Sequence, residues 1–481
     1  MWVIVSILIY FAVLFAISKV TGRRADNDTF FRGNRRSPWY MVAFGMVGAS
    51  ISGVTFVSVP GMVTAIDMTY MQMCLGFIVG YIMVAFLLLP LYYRHNLTTI
   101  YSYLGERLGA RAYKTGASFF LLSKLTGAVI RFYVVCMLLQ QFVADVWGIP
   151  FAVTVTVMVL LIWLYTRRGG IKTLVWTDTF QTLCLFAALL LIIYIAMRQL
   201  DLGVVESVRA IAADSHSRIF VFDDWVSRQN FWKQFLSGIF IVIVMTGLDQ
   251  DMMQKNLTCK SLHEAQKDMC SYGVAFVPAN LLFLSLGILL VMTGRSETGD
   301  ALLPAFVAQG GYAVLVPFSI GIVAASFSSA DSALTALTTC FCVDICERQD
   351  DECLRKRTHL ILCILFVLMI LLFRLLNSTS VIDAVYVLCG YTYGPLLGLF
   401  TFGMLTTRYP RDRYVPYICI ASPLLCYVID LMAQCYGGYR FGYELLMLNG
   451  LLTFLALLLL SMFNRNGASR NIPLAGHSSL S

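Results

Sequence analysis

Charge is scarce in this chain. Of 481 residues only 13% are Asp, Glu, Lys or Arg, 59% are hydrophobic, and the mean hydropathy is +0.76. Such values exclude an ordinary soluble domain and belong to a polytopic membrane protein. Long polar stretches are also lacking: apart from about 198–230 the connections between apolar runs are short. There is no room for a soluble catalytic domain, so any function is carried out inside or across the bilayer. The 14 cysteines form no C-x-x-C pair. Cys340, Cys342 and Cys346 cluster beside one carboxylate, a poor zinc cage, and are read as small buried hydrophobes. The five histidines lie in loops or at span ends and pair with nothing obvious. An intramembrane aspartyl protease is also disfavoured: GLDQ at 247–250 lacks the second glycine of a G-x-G-D box, and the chain has no Tyr-Asp dipeptide. No enzyme is expected.

What is present is a series of about thirteen apolar stretches, each long enough or nearly so to cross a core of about 30 Å. They run over 2–20, 39–65, 70–93, 117–143, 149–166, 174–197, 231–253, 270–294, 311–343, 358–376, 381–406, 413–433 and 442–463. The first lacks a basic leader and a small-residue cleavage site, so it reads as a retained span rather than a signal peptide. With the N-terminus outside and the C-terminus inside, Arg and Lys, with Lys255, Lys260 and Lys267 among them, crowd the inside loops and tail. The short outside connections then carry only Arg295, Arg374 and Arg440. The formal charge of +8 is thereby explained by orientation, and no nucleic-acid partner is implied. The expected location is a plasma or inner cell membrane, with no obligate protein partner evident.

Two spans are interrupted. In the second, Gly45, Gly48, Gly53, Pro60 and Gly61 are interleaved with Ser50, Ser52, Thr55 and Ser58. Non-helical backbone at membrane depth is tolerated only where protein buries it or it lines a cavity. In the seventh, Gly238 and Gly247 accompany Asp249 and Asp251. The ninth carries GIVAASFSSADSALTALTTCFCVD over Gly321–Asp344, small and hydroxylated in its middle third. Small residues and serines also serve plain helix packing. Asp331 is what packing does not need, because a carboxylate in hydrocarbon costs roughly 2.5–3.5 kcal/mol on insertion scales. Hydroxyls clustered beside one carboxylate suit a desolvated hard cation.

Other polar residues have two readings each. Gln72, near the outer end of the third span, is a substrate contact or an interfacial residue. In the fourth span Lys124 lies close enough to the inner end to snorkel. Arg131 lies nearer the middle and needs an anion, from the protein or from a substrate. Asp178 stands just inside the sixth span. Asp383, Asp430 and a kink at Gly390, Gly394 and Pro395 mark the otherwise uniform later spans.

The interrupted spans are five apart, the spacing expected of an inverted five-plus-five repeat whose broken helices meet at the binding site. The expected organisation is an extra helix at 1–20, a first repeat at 39–197 and an extracytoplasmic segment at 198–230. A second repeat at 231–406, two further helices at 413–463 and a cytoplasmic tail at 464–481 complete it.

From about Phe30 to Gly398 the chain resembles the sodium:solute symporter family. The resemblance rests on FFRGNRRSPWY, SISGVTF…PG, LTTIYSYLGERLG, GGIKTLVWTD, GLDQDMMQKNLTCKSLHEAQK, VAASFSSADS and YGPLLGLF, in the family's order. It implies an all-α leucine-transporter (LeuT-like) fold and a sodium ion between the broken second span and the ninth. By motif the ion's ligands fall on the carbonyls of Gly48, Ile51 and Ala325 and the hydroxyls of Ser328 and Ser329. Five oxygens without a carboxylate make a weak, dehydrating cage that fits sodium better than magnesium. Asp178 matches an acidic position that some members use near a second sodium. There the chain departs from the family by placing Asp331 beside Ser332, where it strengthens a cation site, binds a proton or pairs with Arg131. Ser52 and Thr55 match pocket-lining positions, as in sialic-acid-type members, which hold the substrate carboxylate with a fourth-span arginine. Asp249 stands where sugar-transporting members have an amide.

The expected function is sodium-driven uptake of a small polar organic solute by alternating access. Arg131 suggests an anionic one, a carboxylated sugar or organic acid; neutral sugars, amino acids and vitamins stay open. Proton-coupled transport using Asp331, and a membrane sensor on the same fold, are the rivals.

Overall fold

The computed structural model describes residues 2–23, 26–225, 227–376, 381–439 and 441–463, without the side chains of 376 and 381–389. Asp383 and the tail 464–481 lie outside that description. Each of the thirteen apolar stretches is helical. In chain order they are α1 (Trp2–Thr21), the bent pair α2 (Trp39–Ser50) and α3 (Gly53–Ile66), α4 (Tyr70–Arg94), α5 (Ala110–Trp147), α6 (Phe151–Thr166) and α7 (Gly170–Gln199). A second bent pair follows, α8 (Phe231–Gly247) and α9 (Gln250–Asn256), then α10 (Leu262–Met292), α11 (Gly311–Ile345), α12 (Glu352–Leu376) and α13 (Val381–Leu405). The last two are α14 (Val415–Gly437) and α15 (Leu445–Met462). Among the described residues nine helices are long and apolar enough to cross a membrane, or eleven if each bent pair is one span.

Both breaks follow from their residues. Between α2 and α3 the chain bends by 63°. The Ile51 N–H closes α2 on the carbonyls of Val47 and Gly48, and Ser52 caps α3 by accepting the Thr55 N–H at 3.3 Å. Gly48 is required for close approach, because an added Cβ would collide with Thr182 on α7. Between α8 and α9 the bend is 71°. There a π-type turn ends at Gly247, and Asp249 caps α9 by accepting the Asp251 N–H at 2.9 Å.

Each broken pair opens a group of five: α2/α3 precedes α4–α7, and α8/α9 precedes α10–α13. The groups interlock, with α4 on α8, α7 on α11, and α2 on both α7 and α10. The two breaks therefore face each other at the centre, flanked by α5 and α11.

The segment 198–230 includes a helix over Val204–Ala213 and is clasped to the α3–α4 corner. His216 Nδ1 lies 3.0 Å from Asp67 Oδ1, and the Met68 N–H donates to the His216 carbonyl at 3.0 Å. Gln72 completes the clasp: its amide donates to the Gln229 carbonyl at 2.8 Å and accepts the Val221 N–H at 3.0 Å. Its hydrogen-bonding capacity is spent on backbone groups, so the structure makes Gln72 a fastener of this segment and corrects its reading as a substrate contact.

Candidate functional site

A cavity of about 160 Å³ lies between the two breaks. Ala49, Ser52 and Thr55 line it from the first break, Asp249, Asp251 and Met252 from the second, Ser123, Lys124 and Arg131 from α5, and Ser326 and Ser329 from α11. It is smaller than the roughly 300–1,000 Å³ typical of drug-sized ligand pockets.

On one flank stand the residues that the family resemblance assigns to sodium. Ser329 donates its hydroxyl to the Ala49 carbonyl at 2.8 Å, inside the stretch from Gly48 to Ile51 where α2 unwinds. Ser328, one residue earlier, donates to Asp178 Oδ1 at 2.7 Å. Neither hydroxyl faces lipid; both pull α11 onto the break and onto α7. Ile51, Ala325 and Ser328 are buried. The structure thus brings the hydroxyl pair and the unwound backbone together, with Asp178 one bond behind them.

The other acidic residues are arranged differently from the sequence expectation. Asp178 Oδ2 is held by Lys255 at 2.8 Å, a fully buried ion pair. Sequence reasoning placed Lys255 in an inside loop, but the sharp bend before α9 carries it back among the helices. Asp331 does not pair with Arg131: its Oδ2 accepts the Tyr165 hydroxyl from α6 at 2.5 Å, and Ser332 donates to its Oδ1 at 3.3 Å. Asp331 and Ser332 lie behind the cavity wall rather than on it.

The fourth-span cations also part company. Lys124 does not snorkel. It is nine-tenths buried, with its ammonium 3.1 Å from Asp249 Oδ2 and 2.7 Å from Asp251 Oδ2. Tyr393 of α13 donates to the same Asp249 oxygen at 2.6 Å. Lys124, Asp249 and Tyr393 thus tie α5, the second break and α13 together. Arg131, two turns further along α5, reaches the same cavity with no ion-pair partner among the described residues. Asp251, Lys124, Tyr393 and Lys255 were not singled out as site residues. The one local signal was the four-residue step from Asp251 to Lys255 on a polar face of α9.

The sequence profile described as the sodium:solute symporter family matches residues 30–412. The sodium/sialic acid symporter NanT of Aliivibrio fischeri is 26% identical over 84% of this chain and 83% of its own length. SiaT of Proteus mirabilis is likewise 26% identical, over 86% of each chain. The mouse sodium-coupled monocarboxylate transporter 2 is 26% identical over 82% of this chain and 68% of its own. Among solved structures, a substrate-bound outward-open sodium-coupled sialic acid symporter superimposes with a TM-score of 0.82. It covers 96% of this chain and 98% of its own at 21% identity, a likeness of fold. The nucleobase-cation symporter Mhp1 superimposes at 0.60 with 14% identity. The chain is a multi-pass membrane protein and belongs to the sodium:solute symporter family.

Proposed function

We propose that the protein is a sodium-coupled symporter that carries a small polar organic solute bearing an anionic group into the cell across the plasma or inner membrane. The N-terminus lies outside and the C-terminus inside. The observation that carries this reading is the pairing of two features in one cavity wall. Ser329 is bonded to the unwound backbone at Ala49, with Ser328 next to it on Asp178, and Arg131 lines the same cavity with no ion-pair partner among the described residues. A guanidinium lining a cavity at membrane depth calls for an anion, and a solute carboxylate supplies one.

Sodium, as co-transported ion, would take the carbonyls of Gly48, Ile51 and Ala325 with the two hydroxyls. By bridging α11 to the α2–α3 break it would hold the cavity in its accepting form. Linkage then requires sodium and solute to raise each other's affinity. Asp178, Asp331 and Ser332 form a second cation or proton site only in part, because Lys255 already neutralises Asp178 and leaves one carboxylate to balance. Ser52, which caps α3, and Thr55, both lining the cavity, are the proposed hydroxyl contacts of the solute.

The test is uptake into sealed proteoliposomes of carboxylates that include sialic acid and lactate, under an inward sodium gradient with choline as control. Accumulation above equilibrium that follows sodium supports symport. Accumulation that follows a proton gradient and ignores sodium would instead assign coupling to Asp331. Binding without accumulation would make the protein a sensor.

A further inference from the structure

Next to the proposed sodium site stand two more carboxylates, Asp178 of α7 and Asp331 of α11, each no more than 1% exposed. All four of their oxygens already have partners. Ser328 donates to Asp178 Oδ1 at 2.7 Å, and the Lys255 ammonium lies 2.8 Å from Oδ2. Tyr165 donates to Asp331 Oδ2 at 2.5 Å and Ser332 to its Oδ1 at 3.3 Å. A hard cation is held by oxygen lone pairs turned toward it. A second mobile ion arriving here would meet three hydroxyl donors and an ammonium, and would have to displace one of them. The residues present do not fit such an ion.

Lys255 is the member of this group that local structure does not require. Lysine is almost never fully buried unless paired, yet this one is 1% exposed at the end of the short helix α9. Its ammonium pairs with Asp178 and lies within electrostatic reach of Asp251 and Asp331 as well. It is a monovalent point charge, as sodium is, but on a tether.

Charge arithmetic on this flank closes with one free ion. Asp178 and Asp331 bring two negative charges, Lys255 supplies one positive charge, and a single sodium at Ser328 and Ser329 supplies the other. A second sodium would leave the flank net positive, with two cations repelling each other over Asp178 in a desolvated setting. Ser328 joins the two positions. Its hydrogen is spent on Asp178, so its lone pairs stay available to the first ion.

We infer that the Lys255 ammonium is a tethered cation standing in place of a second co-transported ion, so that one sodium ion accompanies each solute. This deepens the proposed function and rests on its sodium site.

The experiment titrates the purified full-length protein with sodium against choline at constant ionic strength. At high sodium the slope of melting temperature against the logarithm of sodium concentration, scaled by the unfolding enthalpy, gives the number of ions bound only by the folded protein. The parent and Lys255→Arg should each give one. Lys255→Ala should melt lower than the parent in choline and give two, because removing the ammonium opens Asp178 to a free ion. Methylammonium added in choline should raise the melting temperature of Lys255→Ala and leave the parent unmoved, a rescue that lost packing alone would not produce. A parent that binds two sodium ions overturns the inference and leaves the symport reading intact. So does a folded Lys255→Ala that still binds one and ignores methylammonium. If Lys255→Ala does not fold in any of these cations, Lys255→Gln takes its place, and should neither fold, the parent's ion count decides. A parent that binds no sodium brings down the sodium site and the inference together.

Discussion

Removing one hydroxyl from the Ser328–Ser329 pair tests the proposed sodium site most directly. In a cage of five neutral oxygens, each ligand contributes on the scale of a hydrogen bond to a charged group, about 1.5–3 kcal/mol. At about 1.4 kcal/mol per decade, Ser329→Ala should raise the sodium concentration for half-maximal stabilisation roughly ten- to 150-fold. Ser328→Ala should do the same and more. Its hydroxyl also donates to the buried Asp178, so its loss removes a charge-assisted bond and lowers the melting temperature in choline as well. Threonine at either position keeps the oxygen and should restore most of the sodium response. The assay is the melting temperature of the purified protein titrated with sodium at constant ionic strength. A half-point within twofold of the parent in both alanine variants, each still folded, would refute the assignment.

Other consequences can be checked alongside. Lys255→Met leaves Asp178 buried without its cation, and Asp178→Asn leaves the ammonium; each should cost about 3–5 kcal/mol, while the double variant should cost far less than their sum. Additive losses in a denaturation cycle would mean the two groups do not pair. Gly48→Ala drives a methyl into Thr182 and should destabilise by about 1–3 kcal/mol while weakening the sodium response, since α2 must back away from α7. Gln72→Ala should accelerate amide exchange across 214–230 and leave solute affinity within twofold; a tenfold affinity loss with unchanged exchange would restore it to the cavity.

What could be read from the sequence was whatever a local pattern enforces. Apolar runs of span length, glycines packed beside serines, and a carboxylate amid small residues each exclude alternatives within a few neighbours. They gave the helices, both breaks and the hydroxyl pair of α11. Partnership over long chain separations left no such trace. Tyr165 meets Asp331 across 166 residues, and Lys124 meets Asp249 across 125. Lys255 was misread because charge near a span end is ordinarily solvated; only the 71° bend turns it inward. Gln72 failed for the converse reason, since an interfacial amide looks the same whether it faces a solute or a loop.

The long-range pairs also bear on how ion and solute communicate. Coupling between distant sites needs an element with two arrangements that both ligands bias. Here the distance is nearly zero. Ser329 lines the cavity with its side chain and bonds Ala49 across the unwound backbone, so the proposed ion ligand is itself part of the solute's wall. Typical coupling free energies of 1–3 kcal/mol correspond to the order of a single hydrogen bond made or lost at such a shared residue. The second break repeats the device with charge: Asp249 caps α9, accepts Tyr393 from α13 and holds Lys124 of α5. Any rotation of one five-helix group against the other must stretch that tie. On the proposed reading, sodium closing the first break and a solute held at Arg131 beside the second would act on the same relative motion. On this geometry, solute affinity should fall in step with sodium affinity in the Ser329→Ala variant, even though the solute is not required to touch that hydroxyl.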